Sequence, residues 1–348
     1  MTEEIEALRD SVTGVLADLC DRRAVHRHVD GQEALDRVLH ARATELGWLG
    51  IGIGEDCGGI GAGLAGSAMV IGELARMAAP GSFLPTLAVA HVIERFCEPG
   101  LREQWLARIV SGQAGGAILA RLDDGVDDGR TMLGSREGAR LFVGSFDGGG
   151  QGLWRCDGET AALDIWDPTR TMWTVPGHIE KLCDLPDAAG AYLESIANVL
   201  IAADSIGLTQ GIFAQTVDYL NEREQFGVRL GSFQALKHRM ANVAAELAML
   251  ESVLEHAIAS VEADDAEAPF WSASCKASAT DAAVFATGEC LQLHGGIGFT
   301  WEHDCHLFLK RARLNQALMR DNFRLRVAAF DVLAANALAD EACRDVMA

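Results

Sequence analysis

The chain has 348 residues, and 49% of them are hydrophobic, which excludes a disordered protein. Its 50 acidic and 29 basic residues give a formal net charge of −21, so we expect no nucleic acid partner. The most apolar stretch, residues 196–208, is interrupted by Asn198 and Asp204, so we expect no transmembrane helix and no membrane partner. The nine cysteines are scattered without a C-x-x-C pair, which indicates reduced thiols in a cytoplasmic protein.

The first segment, residues 1–114, carries apolar residues mostly at helical spacing. A glycine-rich stretch, residues 47–66, separates the first helices from the later ones. We predict an N-terminal helical domain with helices over 4–20, 34–46, 67–77, 85–96 and 101–110.

The middle segment, residues 115–190, loses this periodicity. Gly, Asp, Thr and Pro punctuate short apolar runs, a pattern typical of strands that are separated by turns. We predict a shortened β domain with strands near 117–120, 140–143, 153–156 and 172–175.

The last segment, residues 191–348, returns to long helices. Its breaks predict four helices over 191–222, 233–263, 269–293 and 306–338. Long antiparallel helices with short connections form a bundle. The predicted fold class is therefore mainly α, with an N-terminal helical domain, a small middle β domain and a C-terminal four-helix bundle.

Two short patterns are only weak evidence for a ligand site. Gly61, Gly63 and Gly66 satisfy G-x-G-x-x-G, but the residues before them form a polar turn instead of the strand that a dinucleotide fingerprint needs. We expect a loop that leads into a helix. His303 and His306 have the spacing of two metal ligands on a helix, but no second ligand pair stands at a matching spacing. We expect no metal site.

The junction between the first two bundle helices carries Arg223, Gln225, Phe226, Phe233 and Gln234. One interpretation is an interhelical turn with a solvated arginine. The other is a ligand site in which the Arg223 guanidinium binds a diphosphate and the two phenyl rings flank a planar group. In that second interpretation Gln234 supplies a polar contact. The residues alone leave both interpretations open.

The end of the third bundle helix reads QLHGGIGFT over residues 292–300. Glycines after a helix are first of all a C-cap. Here Gly295 and Gly296 are joined by Gly298, and three glycines in four positions allow backbone amides to approach a ligand closely. Gln292, one turn back, is in a position to hydrogen-bond the same ligand.

These two motifs together resemble the acyl-CoA dehydrogenase family, whose C-terminal bundle carries R-x-Q-F-G…F-Q and then Q-x-x-G-G-x-G-[FY]. The N-terminal half is similar more loosely, through LGWLG at 46–50, EDCGGIG at 55–61 and ELAR at 73–76. The order of helical, β and helical segments also agrees. The resemblance covers nearly the whole chain.

The resemblance implies an enzyme that binds FAD and removes two hydrogens from the α and β carbons of an acyl-CoA thioester. In the family a carboxylate takes the α proton, FAD takes the β hydride, and an acceptor such as an electron-transfer flavoprotein takes the electrons. The bundle motifs contact the adenosine diphosphate half of a FAD that a neighbouring subunit mainly holds. The implied FAD contacts are Arg223, Gln225, Phe226, Phe233, Gln234, Gln292, Gly295 and Gly296.

Other family features are missing. Residues 115–190 contain neither the E-P…G-S-D segment nor the W-I-[ST] segment that cradles the flavin ring. The two family positions for the catalytic Glu fall here in residues 311–320, which contain no acid, and at Ala197. The nearest acids are Glu194 and Asp204. Asp204 lies on a strongly apolar helix where burial could raise its pKa, although a satisfied polar contact is the simpler interpretation.

This split pattern predicts one subunit of a heteromeric FAD-dependent acyl-CoA dehydrogenase. A second, fuller subunit would supply the flavin pocket and the Glu in a heterotetramer with two-fold symmetry. Actinobacterial steroid catabolism uses such unlike pairs, so a bulky polycyclic acyl-CoA is the substrate class that this analogy implies. Two alternatives stay open: a self-sufficient homo-oligomeric dehydrogenase with a relocated acid, and a non-catalytic structural subunit that binds no nucleotide.

Overall fold

The computed structural model describes residues 3–120, 130–135, 138–146, 148–158 and 160–347, with side chains as far as Ala334 in the last helix. The described residues form a helical N-terminal part, a six-stranded sheet and a C-terminal helical bundle. The predicted fold class is confirmed. The segment 121–129, which follows the first strand, lies outside the described residues.

The described N-terminal part contains six α-helices before the first strand. They are α1 (Glu3–Leu19), α2 (Arg22–Val29), α3 (Leu35–Glu45), α4 (Gly63–Arg76), α5 (Phe83–Phe96) and α6 (Pro99–Val110). Helix α2 was not predicted from the sequence, because its RRAVHRHV sequence is mostly basic. The carboxylate of Asp21 stabilises its first turn by accepting the Ala24 amide at 2.7 Å.

The glycine pattern at residues 61–66 lies at the start of α4. A short turn of 3-10 helix, Glu55–Cys57, precedes it, and α4 begins at Gly63. The loop-to-helix interpretation is confirmed, and the strand that a dinucleotide fingerprint needs does not precede these glycines.

The sheet has the strand order β5-β2-β1-β3-β4-β6. Its strands are β1 (Ala114–Leu119), β2 (Thr131–Gly134), β3 (Ala139–Gly144), β4 (Gly152–Cys156), β5 (Met172–Thr174) and β6 (Glu180–Asp184). The β1–β3 pair is parallel and the other pairs are antiparallel. Alternation along β3 sends Leu141 and Val143 into the main core and Phe142 into a second cluster with Trp154 and Trp173. Strands β2 and β6 were not predicted from the sequence.

The bundle consists of five helices in the described residues. They are α7 (Asp187–Glu222), α8 (Gln234–Glu262), α9 (Ala268–His294), α10 (Cys305–Ala317) and α11 (Asn322–Met347). The fourth predicted helix is therefore divided in two. The break occurs where Met319 adopts a left-handed φ of 69° and donates its amide to the Ala120 carbonyl at 2.7 Å, while the Lys276 ammonium binds the carbonyls of Gln316 and Arg320.

The central helix α7 packs so closely against α4 that the two backbones are in van der Waals contact. A Cβ atom on Gly207 would lie 2.1 Å from the Gly72 carbonyl oxygen, so only glycine fits there. By length and composition alone α7 could cross a membrane, but 89% of its most apolar window is buried inside the protein. This burial is typical of the core helix of a soluble fold.

Candidate functional site

The first predicted motif forms a hairpin between α7 and α8. Arg223 directly follows α7, and strands β7 (Glu224–Gln225) and β8 (Val228–Arg229) pair antiparallel around a two-residue turn. Phe226 and Gly227 occupy that turn with φ of 56° and 78°. The pair of positive φ angles is typical of the tight turns that join hairpin strands.

The hairpin exposes the side chains that the sequence singled out. Phe226 is 93% exposed, and its ring lies 6.4 Å from that of Phe233 at an interplanar angle of 87°. Arg223, Gln225 and Gln234 are also exposed. Among the described residues the Arg223 guanidinium forms no hydrogen bond or ion pair, so it is available to an external anion.

The second motif forms a tight turn after α9. Residues Gly295–Phe299 make a 3-10 helix, and Gly295 has a φ of 63° that L side chains rarely adopt. A Cβ atom at Gly295 or Gly296 would meet nothing within 4 Å, so the backbone at both positions is open to a ligand. Gln292 is exposed at the end of the helix.

The structure brings the two motifs to one end of the bundle. The Tyr219 hydroxyl, one turn before Arg223, donates to the His294 carbonyl at 3.4 Å. The Tyr219 and His294 rings also stack, with centroids 4.6 Å apart and an interplanar angle of 27°. The eight predicted contact residues thus lie on or beside the hairpin and the glycine turn that this contact connects. An exposed guanidinium, two exposed phenyl rings and an open glycine backbone fit the diphosphate and adenosine of a dinucleotide.

Of the two weak acid candidates, Asp204 lies in a buried ion-pair network. It is 1% exposed, and its oxygens accept Arg170 Nη2 at 2.7 Å, Arg311 Nε at 3.0 Å and Asn315 Nδ2 at 2.7 Å. Burial raises the pKa of Asp204, but the charges of Arg170 and Arg311 outweigh burial and hold that pKa below its usual value. Asp204 therefore has a structural role, because its carboxylate is ionised, paired and shielded from solvent.

The other acid candidate, Glu194, lies near the start of α7 and faces the loop between α10 and α11. Its carboxylate pairs with the Arg320 guanidinium at 3.2 Å. The Glu194 side chain is 24% exposed and therefore remains accessible, unlike that of Asp204.

The three tryptophans of the middle domain occupy different environments. Trp173 is fully buried, and Trp154 is 5% exposed and donates its Nε1 hydrogen to the Gly144 carbonyl at 2.8 Å. These two rings build the second core of the sheet. Trp166, in contrast, is 48% exposed.

A cleft of about 1090 Å³ lies among α1, α4, α7 and α8, apart from both motifs. Glu73 and Arg76 on α4 and Gln210 on α7 are among its polar lining residues, and Ile206 and Leu254 are among its apolar ones. Arg76 already donates to Gln210 at 2.7 Å, so part of this polar lining is satisfied internally. None of the predicted cofactor contacts lies in this cleft.

Comparison with known proteins identifies the family. The model for the acyl-CoA dehydrogenase N-terminal domain matches residues 2–113, and that for the C-terminal domain matches residues 196–319. The chain is 32% identical over 319 residues to acyl-CoA dehydrogenase IpdE2 of Mycobacterium tuberculosis, a match that covers 91% of this chain and 93% of that protein. The chain therefore belongs to the acyl-CoA dehydrogenase family, and the resemblance is confirmed. Membership supports an oxidoreductase that acts on CH–CH bonds and uses FAD.

Solved structures agree on the fold. The Tcur3481-Tcur3483 steroid ACAD G363A variant has a TM-score of 0.85 at 22% identity, covering 97% of this chain and 99% of that chain. The ChsE4-ChsE5 complex from Mycobacterium tuberculosis gives 0.82 at 20% identity, with 97% and 98% covered. An acyl-CoA dehydrogenase complexed with FAD from Bacillus anthracis gives 0.85 at 16% identity, with 98% and 68% covered. At these identities the likeness shows the fold alone.

Several buried polar residues of the bundle were not predicted from the sequence. Arg170, Arg311 and Asn315 bind Asp204, and Lys276 binds the loop after α10. The sequence signal for this network was Asp204 itself, a carboxylate within an apolar helix. The sequence does not show which distant cation pairs with a buried acid.

Proposed function

We propose that this chain is one subunit of a heteromeric FAD-dependent acyl-CoA dehydrogenase. In this proposal it completes the adenosine diphosphate half of a FAD site whose flavin half belongs to a fuller partner subunit. The observation that carries the proposal is a group of exposed features at one end of the bundle: Arg223, whose guanidinium has no partner in the described part of the chain, the exposed Phe226 ring, and the open backbone at Gly295 and Gly296.

The length of α7 supports sharing across an interface. Its 36 residues extend for about 54 Å at 1.5 Å per residue. The buried ion pair that joins the middle domain to α7 lies at Asp204, and Arg223 comes roughly 28 Å further along the helix axis. A β domain of another subunit is therefore a simpler source of the flavin cradle than the β domain of this chain.

Each contact has a defined task when FAD is bound. The Arg223 guanidinium holds the diphosphate through paired hydrogen bonds, and the rings of Phe226 and Phe233 pack against the adenosine. Gln292 and the Gly296 amide add polar contacts to the same half. FAD supplies the acceptor for the β hydride, while these residues fix its position.

The partner supplies the catalytic base in this proposal. Both oxygens of Asp204 are occupied by buried donors, and the stretch 311–320 contains no acid. Two related structures carry paired names, ChsE4-ChsE5 and Tcur3481-Tcur3483, and the latter is described as a steroid enzyme. Their pairing supports an unlike partner and a polycyclic acyl-CoA as the substrate class, with an electron-transfer flavoprotein as the acceptor.

The test is expression of this chain alone and together with a fuller acyl-CoA dehydrogenase chain, followed by visible spectra and native masses. We expect a colourless chain alone and a yellow heterotetramer with about half the flavin per subunit when the two are combined. Arg223→Ala should lower the flavin content of the complex, and Arg229→Ala on the same hairpin should not. A yellow homo-oligomer with one flavin per chain contradicts the proposal. A complex whose flavin is unaffected by Arg223→Ala indicates a structural subunit instead.

A self-sufficient homo-oligomer is the second candidate, and the accessibility of Glu194 favours it. Glu194 faces the loop between α10 and α11 through Arg320. If the chain alone turns over an acyl-CoA, Glu194→Gln should abolish turnover and retain flavin, whereas Asp187→Asn on the same helix should have no effect. Retained turnover in Glu194→Gln would exclude this residue as the base.

A further inference from the structure

We propose that His294, His303 and Cys305 form a site for a divalent transition metal of the zinc class. One nitrogen of each imidazole and the Cys305 sulfur all lie within 4.8 Å of one another. Zinc bonds of about 2.0–2.3 Å place tetrahedral ligand atoms about 3.3–3.6 Å apart, so the three atoms must approach by roughly an ångström. This ligand set differs from the His303–His306 pair that the sequence spacing suggested and that we expected to bind no metal.

The tautomer of His294 suits a metal ligand. Its Nδ1 lies 2.8 Å from the Cys290 carbonyl oxygen, and because a carbonyl only accepts, Nδ1 must carry the proton. The lone pair is therefore on Nε2. Metal-binding histidines commonly donate their other ring nitrogen to a backbone carbonyl in this way, which fixes the ring and raises its basicity.

His303 and Cys305 supply the other two ligands. The Cys305 amide donates to His303 Nδ1 at a long 3.3 Å, so this nitrogen is unprotonated, and coordination through it would replace that long hydrogen bond. The Cys305 sulfur lies 3.5 Å from His294 Nδ1, so the Cys305 side chain must rotate to bring its sulfur to the Nε2 side of that ring. The His294 and His303 ring centroids are 4.4 Å apart, so small side-chain rotations bring both nitrogens to one ion.

Burial gives the site a closed side and an open side. Cys305 is fully buried and His294 is 3% exposed, whereas His303 is partly exposed and gives solvent access to the cluster. Three protein ligands leave the fourth tetrahedral position for water. Binding converts the Cys305 thiol to a thiolate, and the displaced proton goes to solvent, so uptake of one M²⁺ releases one H⁺.

His306 belongs to a different set of contacts. Its Nδ1 donates to the His303 carbonyl at 2.7 Å, and its ring stacks on Trp301 with centroids 4.4 Å apart. It is therefore a suitable control on the same segment, an imidazole close to the cluster but outside it.

The ligands lie at the two ends of the glycine turn. His294 immediately precedes Gly295, and His303 and Cys305 follow the turn at the start of α10. A bound ion would join the end of α9 to the beginning of α10 and restrict the turn between them. The site stands without the proposed function, because it needs neither FAD nor a partner.

The test is a titration of the purified, chelator-treated chain with Co²⁺ alone, monitored by absorption, and a matching titration with Zn²⁺ in weak buffer, monitored by proton release. We expect saturation at one Co²⁺ per chain with a thiolate-to-cobalt charge-transfer band, and release of one proton per Zn²⁺. Cys305→Ser should abolish the band. His303→Gln should weaken binding at least about tenfold, because loss of even an outer-shell partner has an effect of that size.

Two variants serve as controls. Cys275→Ser removes a different buried thiol of α9, and His306→Gln removes the neighbouring imidazole, and neither should change the titration. The partly exposed His303 keeps the test decisive if Cys305→Ser does not fold. No charge-transfer band in the wild-type chain, or an unchanged band and affinity in His303→Gln, overturns the proposal whatever the outcome of the flavin experiments.

Discussion

Asp204 and Arg311 form a two-pronged ion pair inside the bundle, with Arg311 Nε donating to Oδ1 at 3.0 Å and Nη2 to Oδ2 at 2.5 Å. Arg170, from the segment between β4 and β5, donates to the same Oδ2 at 2.7 Å. Arg311 also donates to the Ala79 carbonyl at 2.8 Å. One carboxylate therefore joins the middle domain, α7 and α10, and Arg311 extends the connection to the N-terminal part.

We expect Asp204→Asn to lower the free energy of unfolding by about 3–5 kcal/mol, because two buried guanidinium groups lose the carboxylate that both of them bind. Urea denaturation of the wild type and the variant measures this difference. Since the folded pKa of Asp204 is lowered, its contribution is complete above the unfolded pKa of about 4 and is lost as the pH falls through the folded value.

Asp218→Asn is the matched control, an exposed aspartate on the same helix whose substitution should change stability by less than about 0.5 kcal/mol. A stable Asp204→Asn variant whose complex has lost turnover would instead assign a catalytic task to Asp204.

Lys276 makes a second buried connection, between α9 and the loop that divides the predicted fourth helix. Its ammonium donates to the carbonyls of Gln316 at 3.0 Å and Arg320 at 2.9 Å, and to Asn322 Oδ1 at 3.0 Å. Burial lowers the pKa of Lys276 to about 7, although Asp281 and Asp321 oppose the shift.

The lowered pKa of Lys276 predicts a pH-dependent stability. Between pH 7 and the unfolded pKa of about 10.4 the unfolded chain binds more protons, so the free energy of unfolding rises with pH in that window. The rise from this group should be on the order of several kcal/mol, and Lys276→Met should abolish it. Urea denaturation at several pH values between 7 and 10 compares the two slopes. Parallel curves for the wild type and Lys276→Met would show that the ammonium remains charged throughout.

The sequence predicted the elements whose signals are local. Helical periodicity predicted α7, α8 and α9, and the resemblance brought the residues of the hairpin and the glycine turn together. Prediction from the sequence failed where contacts between residues distant in the chain determine the local structure. The helix predicted across Met319 is broken because Lys276, 43 positions earlier, and the Ala120 carbonyl both bind the loop. Likewise no local pattern shows that Cys305 and His303 meet His294.

Gly296 offers a substitution that separates cofactor binding from folding. Its φ is not in the left-handed region and a Cβ atom there would meet nothing within 4 Å, so Gly296→Val should leave the stability of the chain alone within about 0.5 kcal/mol. The same side chain would occupy the space through which the backbone approaches FAD. We therefore expect a marked loss of flavin from the complex, measured by absorption after gel filtration.

Gly100→Ala is the control for Gly296, since its Cβ atom also meets nothing, at an exposed position on α6 far from the bundle motifs. Unchanged flavin content in Gly296→Val would remove the glycine turn from the proposed contact surface.

Substitution of Phe226 also separates cofactor binding from folding, but here the chain alone should become more stable. A phenylalanine with a φ of 56° at the first central position of a tight hairpin turn is strained by about 1–2 kcal/mol, and Asn followed by Gly is the preferred pair there. Because the Phe226 ring is 93% exposed, its removal loses little packing within this chain. Phe226→Asn should therefore stabilise the chain alone by about 1 kcal/mol while lowering flavin retention in the complex.

Phe226→Tyr, which keeps the ring, should retain both properties of the wild type. Thermal unfolding of the chain alone and flavin content of the complex measure the two effects, and a stabilised variant with full flavin content would mean that the strained phenylalanine serves another contact.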